Sequence, residues 1–273
     1  MAAVVSSRNV DPEPFVKWAG GKQALALQLL ARFPGQFERY FEPFLGGGAL
    51  FFALRPSRAV LGDANAWLVQ TYATLRDDCA AVIAALQRLP NTRADFLRIR
   101  AEELEPLAPA ERAARFIYLN KTCFRGLFRV NAGGRFNVPY GAYQRRTHDP
   151  LVLNAVARAL RGIELVASDF ATTLAAAGPG DFVYLDPPYW KLGGWADFNR
   201  YTPGRFTAAD HERLAAACRD LDARGVRFVL SNSDVDPVRA LFRGWQIEPI
   251  AARREICLDS SRRDVQELVI RNF

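Results

Sequence analysis

The chain of 273 residues carries a formal net charge of +7, with 50% apolar and 24% charged residues, the composition of a folded globular protein of one large domain or one core with a sizeable insertion. No apolar run approaches the ~20 residues of a membrane span, and four cysteines without CxxC spacing (Cys79, Cys123, Cys218, Cys257), beside only His148 and His211, argue against a metal site and for free thiols in a reducing cytosol. The positive balance suits a polyanionic partner.

The first residues, MAAVVSSRNVDPEP, have neither a basic n-region nor an apolar h-region. They read as a short disordered lead rather than a secretory signal. FVKWAGGKQ follows, and its Gly-Gly-Lys invites a P-loop reading. The spacing excludes it, because no glycine stands five before the Gly-Lys pair and Gln23 replaces the Ser/Thr. RYFEPFLGGG predicts a strand running into the helix ALFFALR, and Gly46-Gly47-Gly48 lets the backbone approach a ligand closely. RAVLGDAN predicts a second strand ending at Asp63, fifteen residues after Gly48. An acid there suits the ribose hydroxyls of an adenosine cofactor, or equally a helix N-cap.

Residues 66–150 break the strand–helix rhythm. They predict helices (TRADFLRIRAEEL, PAERAARFIYLN) and then a loop-rich stretch, a helical insertion between the second and third strands. From Arg112 to His148 there is no acid, yet there are eight basic residues, interleaved with aromatics. That pattern favours a nucleic-acid surface over an ordinary solvated face. IELVASDF, DFVYLDPPY, VRFVLSNSD and VQELVIRNF supply the remaining strands. Before VRFVLSNSD, Thr207 and Asp210 form a capping box for a helix with the stripe Leu214, Cys218, Leu221, ended by Gly225. Strands alternating with helices indicate an α/β parallel sheet.

DFVYLDPPYW is the densest chemical motif. Phe182–Leu185 reads as a strand buried on both faces, ended by two prolines that cannot donate to a ladder. Asp186, Pro187, Pro188 and Tyr189 then provide a carboxylate, a fixed carbonyl and a stacking surface. Taken alone the motif suits either a strand ending in a stiff turn or a catalytic loop, and in the second case these are the parts needed to hold an exocyclic amine. An adenine amino lone pair is delocalised into the ring, and two acceptors on its N–H groups draw the nitrogen toward sp³, ready for in-line attack on a methyl group.

FVKWAGGKQ, FEPFLGGGALFF, LGDAN, GLFRVNAGGRFNVPYG, VYLDPPY, FVLSNSD and RRDVQELVIRNF stand in the order of the DNA adenine-N6 methyltransferase family. The chain resembles that family from Phe15 to Phe273, in the class that places a target-recognition insertion before the catalytic DPPY. The resemblance implies a Rossmann-like methyltransferase sheet, residues 1–65 and 151–273 as catalytic and cofactor-binding domain, and 66–150 as the recognition insertion. It implies S-adenosylmethionine as cofactor, contacted by Trp18, Lys22, Asp63 and Asp186, with Phe44, Gly46 and Gly48 in the loop beneath it. Asp169 and Phe170 match the acid-aromatic pair beside the cofactor adenine.

GATC-methylating members carry a hairpin resembling NKTCFRGLFRVNAGGRFNVPYGAY. On that match Arg129 reads a guanine edge, Lys17 meets the first guanine, Leu127 and Pro139 pack on the pyrimidine side, and Phe124 takes the place of a wedge that is usually tyrosine. Asn131 and Tyr143 belong to the same reading segment, while Arg145 and Arg146 lie past the hairpin and are expected on phosphates. The residues near CLDSS are fewer than the family often has. The resemblance thus implies a monomeric cytoplasmic enzyme acting on double-stranded DNA by base flipping, without a metal or membrane, either paired with a restriction enzyme or alone. Cytosine N4, RNA adenine and protein glutamine are the alternative acceptors, and the Asp of DPPY favours adenine over the cytosine and glutamine enzymes by family precedent. A non-catalytic DNA-binding relative is the alternative of another class.

Overall fold

A computed structural model describes residues 10–103, 106–131, 133–144, 146–190, 206–253 and 264–273. Among these, seven strands form one sheet: β1 (Tyr40–Glu42), β2 (Ala59–Asp63), β3 (Glu164–Ala167), β4 (Phe182–Leu185), β5 (Arg227–Ser233), β6 (Gln246–Arg253) and β7 (Asp264–Arg271). Their order is β3-β2-β1-β4-β5-β7-β6. β1 to β5 run parallel, and β7 runs antiparallel to both β5 and β6. The chain steps outward from β1 to β3 and then restarts at β4 on the other side of β1. The switch point therefore lies between β1 and β4, and its crevice opens at their carboxyl ends.

The helices are α1 (Ala26–Leu30), α2 (Ala49–Leu54), α3 (Ala66–Gln87), α4 (Arg93–Ala101), α5 (Pro109–Thr122), α6 (Pro150–Ala159), α7 (Phe170–Ala175), α8 (Ala208–Ala223) and α9 (Asp236–Leu241). α3 to α6 separate β2 from β3 in the chain, where the sequence predicts a helical insertion. They share an apolar core with one face of the sheet: Tyr72, Phe116, Tyr118 and Leu153 cluster with Tyr40, Leu61, Phe182 and Tyr184. On the other face Leu214 and Cys218 cluster with Phe41, Val183, Leu185 and Phe228. Alternate residues of β4 thus feed both layers, which is why a continuous apolar run marks a central strand.

Local signals explain the element ends. Asp210 Oδ2 accepts from the Thr207 N–H at 2.8 Å, and Thr207 Oγ1 accepts from the Asp210 N–H at 3.4 Å, so α8 starts at the predicted capping box. Asn65 caps α3 by accepting from the Leu68 N–H at 3.1 Å. α3 is broken by non-helical backbone at Asp78, whose carboxylate accepts from the Ala81 N–H at 3.0 Å and restarts the helix. β6 is the strand that sequence pattern passes over. It contains Pro249, which an edge strand tolerates, and it lies at the edge of the sheet. The antiparallel β6–β7 pair also departs from the all-parallel expectation.

No helix among the described residues is long and apolar enough to cross a membrane.

Candidate active site

β4 ends at Leu185 and delivers Asp186-Pro187-Pro188-Tyr189 into the crevice. Lys22 Nζ, almost fully buried, stands 2.9 Å from Asp186 Oδ1, donates to the Gly20 carbonyl at 2.7 Å and lies 4.7 Å from the centre of the Tyr189 ring. An ammonium is therefore held by a carboxylate, a main-chain carbonyl and an aromatic face. Burial pushes the Asp186 carboxyl up to about 6; the Lys22 charge pulls it down, and Glu267 pushes it further up. The Tyr189 hydroxyl donates to Glu267 Oε2 at 2.7 Å. The next residue is fixed from β5: the Trp190 N–H donates to Asn232 Oδ1 at 3.1 Å, and Ser233 Oγ donates to the Trp190 carbonyl at 2.7 Å.

The glycine loop and Asp63 face the same crevice from β1 and β2. Asp63 Oδ2 accepts from the Gly46 N–H at 3.0 Å, and Oδ1 accepts from the Asn65 N–H at 2.8 Å. Burial pushes Asp63 up to about 6, against the pull of those two N–H groups. Gly46 has φ +49°, and a Cβ there would stand 2.6 Å from Trp18 Cδ1, so glycine is required both for the turn and for the close approach. Trp18 in turn stacks on Phe128 at 5.6 Å. Glu42, at the end of β1 and only 3% exposed, accepts from the Tyr40 hydroxyl at 2.8 Å. Burial first, and then the Asp186 and Asp63 charges, push it up to about 8. Three carboxyls thus gather at the carboxyl ends of β1, β2 and β4, with Lys22 as the buried cation beside them.

Phe44 stacks on Phe170 with ring centres 5.4 Å apart. Asp169 caps α7, accepting from the Ala171 N–H at 3.0 Å, and its Oδ1 also takes Arg213 Nη2 at 2.9 Å. The acid-aromatic pair therefore borders the same end of the sheet, on the β3 side.

Residues 123–131 and 133–140 supply the two sides of the expected hairpin. The Asn137 N–H donates to the Arg129 carbonyl at 3.0 Å, the Asn131 N–H donates to the Arg135 carbonyl at 2.9 Å, and Val130 bridges Phe136. Asn131 Oδ1 accepts from the Gly133 and Arg135 N–H groups, both at 3.0 Å, so its side chain ties the turn. Arg129 is held in place, with Nε donating to Asn137 Oδ1 at 2.7 Å and Nη2 to the Asn137 carbonyl at 3.3 Å. Phe124 is 42% exposed, and Pro139 and Arg146 are exposed. Leu127 is buried in the core, and the Tyr143 hydroxyl accepts from the Arg125 N–H at 2.8 Å, so both brace the base of the hairpin. Arg145 and the CLDSS residues lie outside the described residues.

Lys17 is brought to the hairpin by a residue that sequence reasoning missed. Asn120 accepts from the Lys17 N–H and donates to the Lys17 carbonyl, both at 2.8 Å, and also donates to the Gly126 carbonyl at 3.1 Å. Gly126 packs so closely on Lys17 that a Cβ would stand 2.6 Å from the lysine Cβ. Arg115, by contrast, belongs to the interior: its guanidinium donates to the carbonyls of Ile99, Arg100 and Glu102 and closes the end of α4. Glu42, Asn232 and Glu267 were also missed. A buried acid in the apolar context FEPF is the one signal that could have singled out Glu42.

The family model of the D12 class N6 adenine-specific DNA methyltransferase matches residues 18–256. The chain is 34% identical over 280 residues to Type II methyltransferase M1.LlaDCHI of Lactococcus lactis subsp. cremoris, covering 99% of each chain. It is 35% identical over 292 residues to Type II methyltransferase M.MjaIII of Methanocaldococcus jannaschii, covering 97% of this chain and 100% of the relative. It is 30% identical over 260 residues to the DNA adenine methylase of Escherichia coli, covering 93% of each. The match takes in the crevice and the hairpin together, and the chain belongs to the D12 class of N6 adenine-specific DNA methyltransferases.

Proposed function

We propose that the protein transfers a methyl group from S-adenosylmethionine to the N6 amino group of adenine within GATC of double-stranded DNA, after turning the adenine out of the helix. The observation that carries this reading is the Asp186–Lys22–Tyr189 cluster at the end of β4, facing the Gly46 loop and Asp63. In the free protein it already holds a nitrogen by the contact types an exocyclic amine needs.

The residues present fit S-adenosylmethionine. Asp63 is a recessed carboxyl placed for ribose hydroxyls. Trp18 and Gly46 leave no room for a side chain on the loop. Phe44, Phe170 and Asp169 offer an apolar wall and an acceptor for an adenine ring. When bound, the cofactor supplies a methyl carbon made electrophilic by its sulfonium.

Asp186 accepts one N–H of the target amine and draws its lone pair out of conjugation, while the Pro187 carbonyl takes the other. Tyr189 supports the base by stacking. Lys22 keeps Asp186 ionised until the amine takes its place. A carboxyl lifted to about 6 is also basic enough to hold the proton that N6 sheds. A paired adenine cannot reach Asp186 from within the stack, and its extrusion costs a few kcal/mol. Phe124, exposed at the hairpin base, fills the space it leaves. Segment 66–150 then reads the target, with Arg129 on a guanine edge, while 1–65 and 151–273 hold the cofactor.

The test is methyl transfer to defined duplexes carrying GATC and its single-base variants, with N6-methyladenine identified by mass spectrometry. Asp186→Ala should remain folded and lose at least ~10²-fold in rate, the scale of losing one preorganised transition-state contact. Near-normal turnover in that variant would defeat the assignment of Asp186. Indifference to GATC would defeat the target while leaving the adenine chemistry standing.

A further inference from the structure

β7 runs antiparallel into the sheet between β5 and β6, and its register sets Glu267 opposite Ser233. Ser233 and its neighbour Asn232 hold Trp190 from β5, and Glu267 holds the Tyr189 hydroxyl from β7. Two consecutive residues of the DPPYW loop are thus fixed by two adjacent strands. The opposite constraint on Tyr189 comes from Lys22, whose ammonium lies over the ring.

We propose that Glu267 is a positioning residue for methyl transfer: by accepting the Tyr189 hydroxyl proton in a hydrogen bond it fixes the plane on which the target base stacks and sets the charge facing Asp186. This rests on the function proposed above. A phenol ring turns about two side-chain bonds, and a hydrogen bond at its far end, opposite the backbone, removes the swing that would misplace a base stacked on it. A charged acceptor makes that bond strong and short, and misplacement of about 1 Å is enough to cost ~10²-fold in rate.

Glu267 also acts through its charge. Asp186 is faced by Lys22 from the N-terminal segment, by Tyr189 of its own loop, by Glu42 and Tyr40 of β1, by Tyr184 of β4 and by Glu267 of β7. Of these, Lys22 and, less strongly, the Tyr189 hydroxyl lower the Asp186 carboxyl, and Glu267 raises it. Removing the Glu267 charge leaves Lys22 less opposed, so Asp186 should titrate at lower pH.

The experiment is a double-mutant cycle on kcat with Tyr189→Phe, which keeps the ring and loses the hydroxyl, and Glu267→Ala, together with the isosteric Glu267→Gln. Tyr189→Phe and Glu267→Ala should each lower kcat by about tenfold or more while KM for DNA moves less than about threefold, and Glu267→Gln, which keeps a carbonyl acceptor, should lower it less. At a pH well above the acid limb, where Asp186 is ionised with or without the Glu267 charge, Glu267→Ala should then add less than about twofold in the Tyr189→Phe background, because the bond is already gone. Glu267→Gln should move the acid limb of the kcat/KM profile to lower pH, which a purely structural role would not do. Thermal melting of each variant shows that it is folded. Multiplicative effects in the double mutant, or an unmoved acid limb in Glu267→Gln, would overturn the proposal. Wild-type protein without adenine methylation in the same assay would instead overturn the proposed function, and this inference with it.

Discussion

Glu42 accepts a hydrogen bond from the Tyr40 hydroxyl inside an apolar strand and titrates near 8 instead of its ordinary 4.5. The folded chain therefore retains a proton that the unfolded chain has lost between those two values. That contribution to stability is complete below about 4.5 and disappears as pH rises through about 8. Glu42→Gln keeps a carbonyl acceptor for Tyr40 and cannot ionise. Relative to wild type it should gain of the order of 1–4 kcal/mol at pH 8 compared with pH 5. Denaturant unfolding at the two pH values checks this, and parallel behaviour of the two proteins would show that Glu42 is not held protonated. At this scale the sequence is legible where the chemistry sits in a short motif. Asp63 and Asp186 stand out because each ends a strand run in a short polar turn, even though an N-cap or a stiff turn would read the same way. Glu267 does not, since a glutamate in a β-strand reads as an ordinary outward-facing polar residue until the strand's neighbour is known.

The hairpin is an element whose job depends on which side chains it holds rigid. Asn131 ties its turn, Asn120 ties its base to Lys17, and Asn137 fixes Arg129. Under the proposed function, holding Arg129 in one orientation would lower the entropy cost of docking it on a base edge. If it reads guanine, Arg129→Ala should cost about 1–3 kcal/mol on GATC and relax preference at one base pair. Arg146, exposed beyond the hairpin, should behave otherwise: Arg146→Ala should weaken all sequences alike and reduce the salt slope by about 1. Methylation rates on GATC and its variants, at two salt concentrations, separate the two behaviours. An Arg129 variant equally impaired on every sequence would place that arginine on the backbone. The element scale also shows where patterns mislead. The basic-aromatic stretch coincides in the chain with the hairpin, yet Arg115 in it closes the end of α4 inside the protein, because net charge per segment carries no information on direction. The capping box of α8 was legible because its two partners are three residues apart. β6 was not, because an edge strand with a proline and adjacent alanines lacks both alternation and a continuous apolar run.

At the scale of the whole molecule, the two clusters on either face of the sheet meet along β4, and β7 completes the sheet between β5 and β6. Ending the chain at residue 253 would leave β5 with one bare edge and β6 with no strand to pair with. Such a protein should lose cooperative melting and aggregate, since an unpaired inner strand offers its ladder to other chains. Circular dichroism melting and light scattering would show it, and a soluble, cooperatively folding truncation would mean that β7 adds little to the core. Because translation runs at about 5–20 residues per second, roughly 10–45 s separate the emergence of β1 from that of β7. Throughout that interval a growing chain carries the glycine loop, and later Asp186 and Tyr189, without the strand that bears Glu267. Under the proposed function the order of synthesis thus works as a timer: a nascent polypeptide near DNA would have the parts for methylation well before it has the scaffold that aligns them.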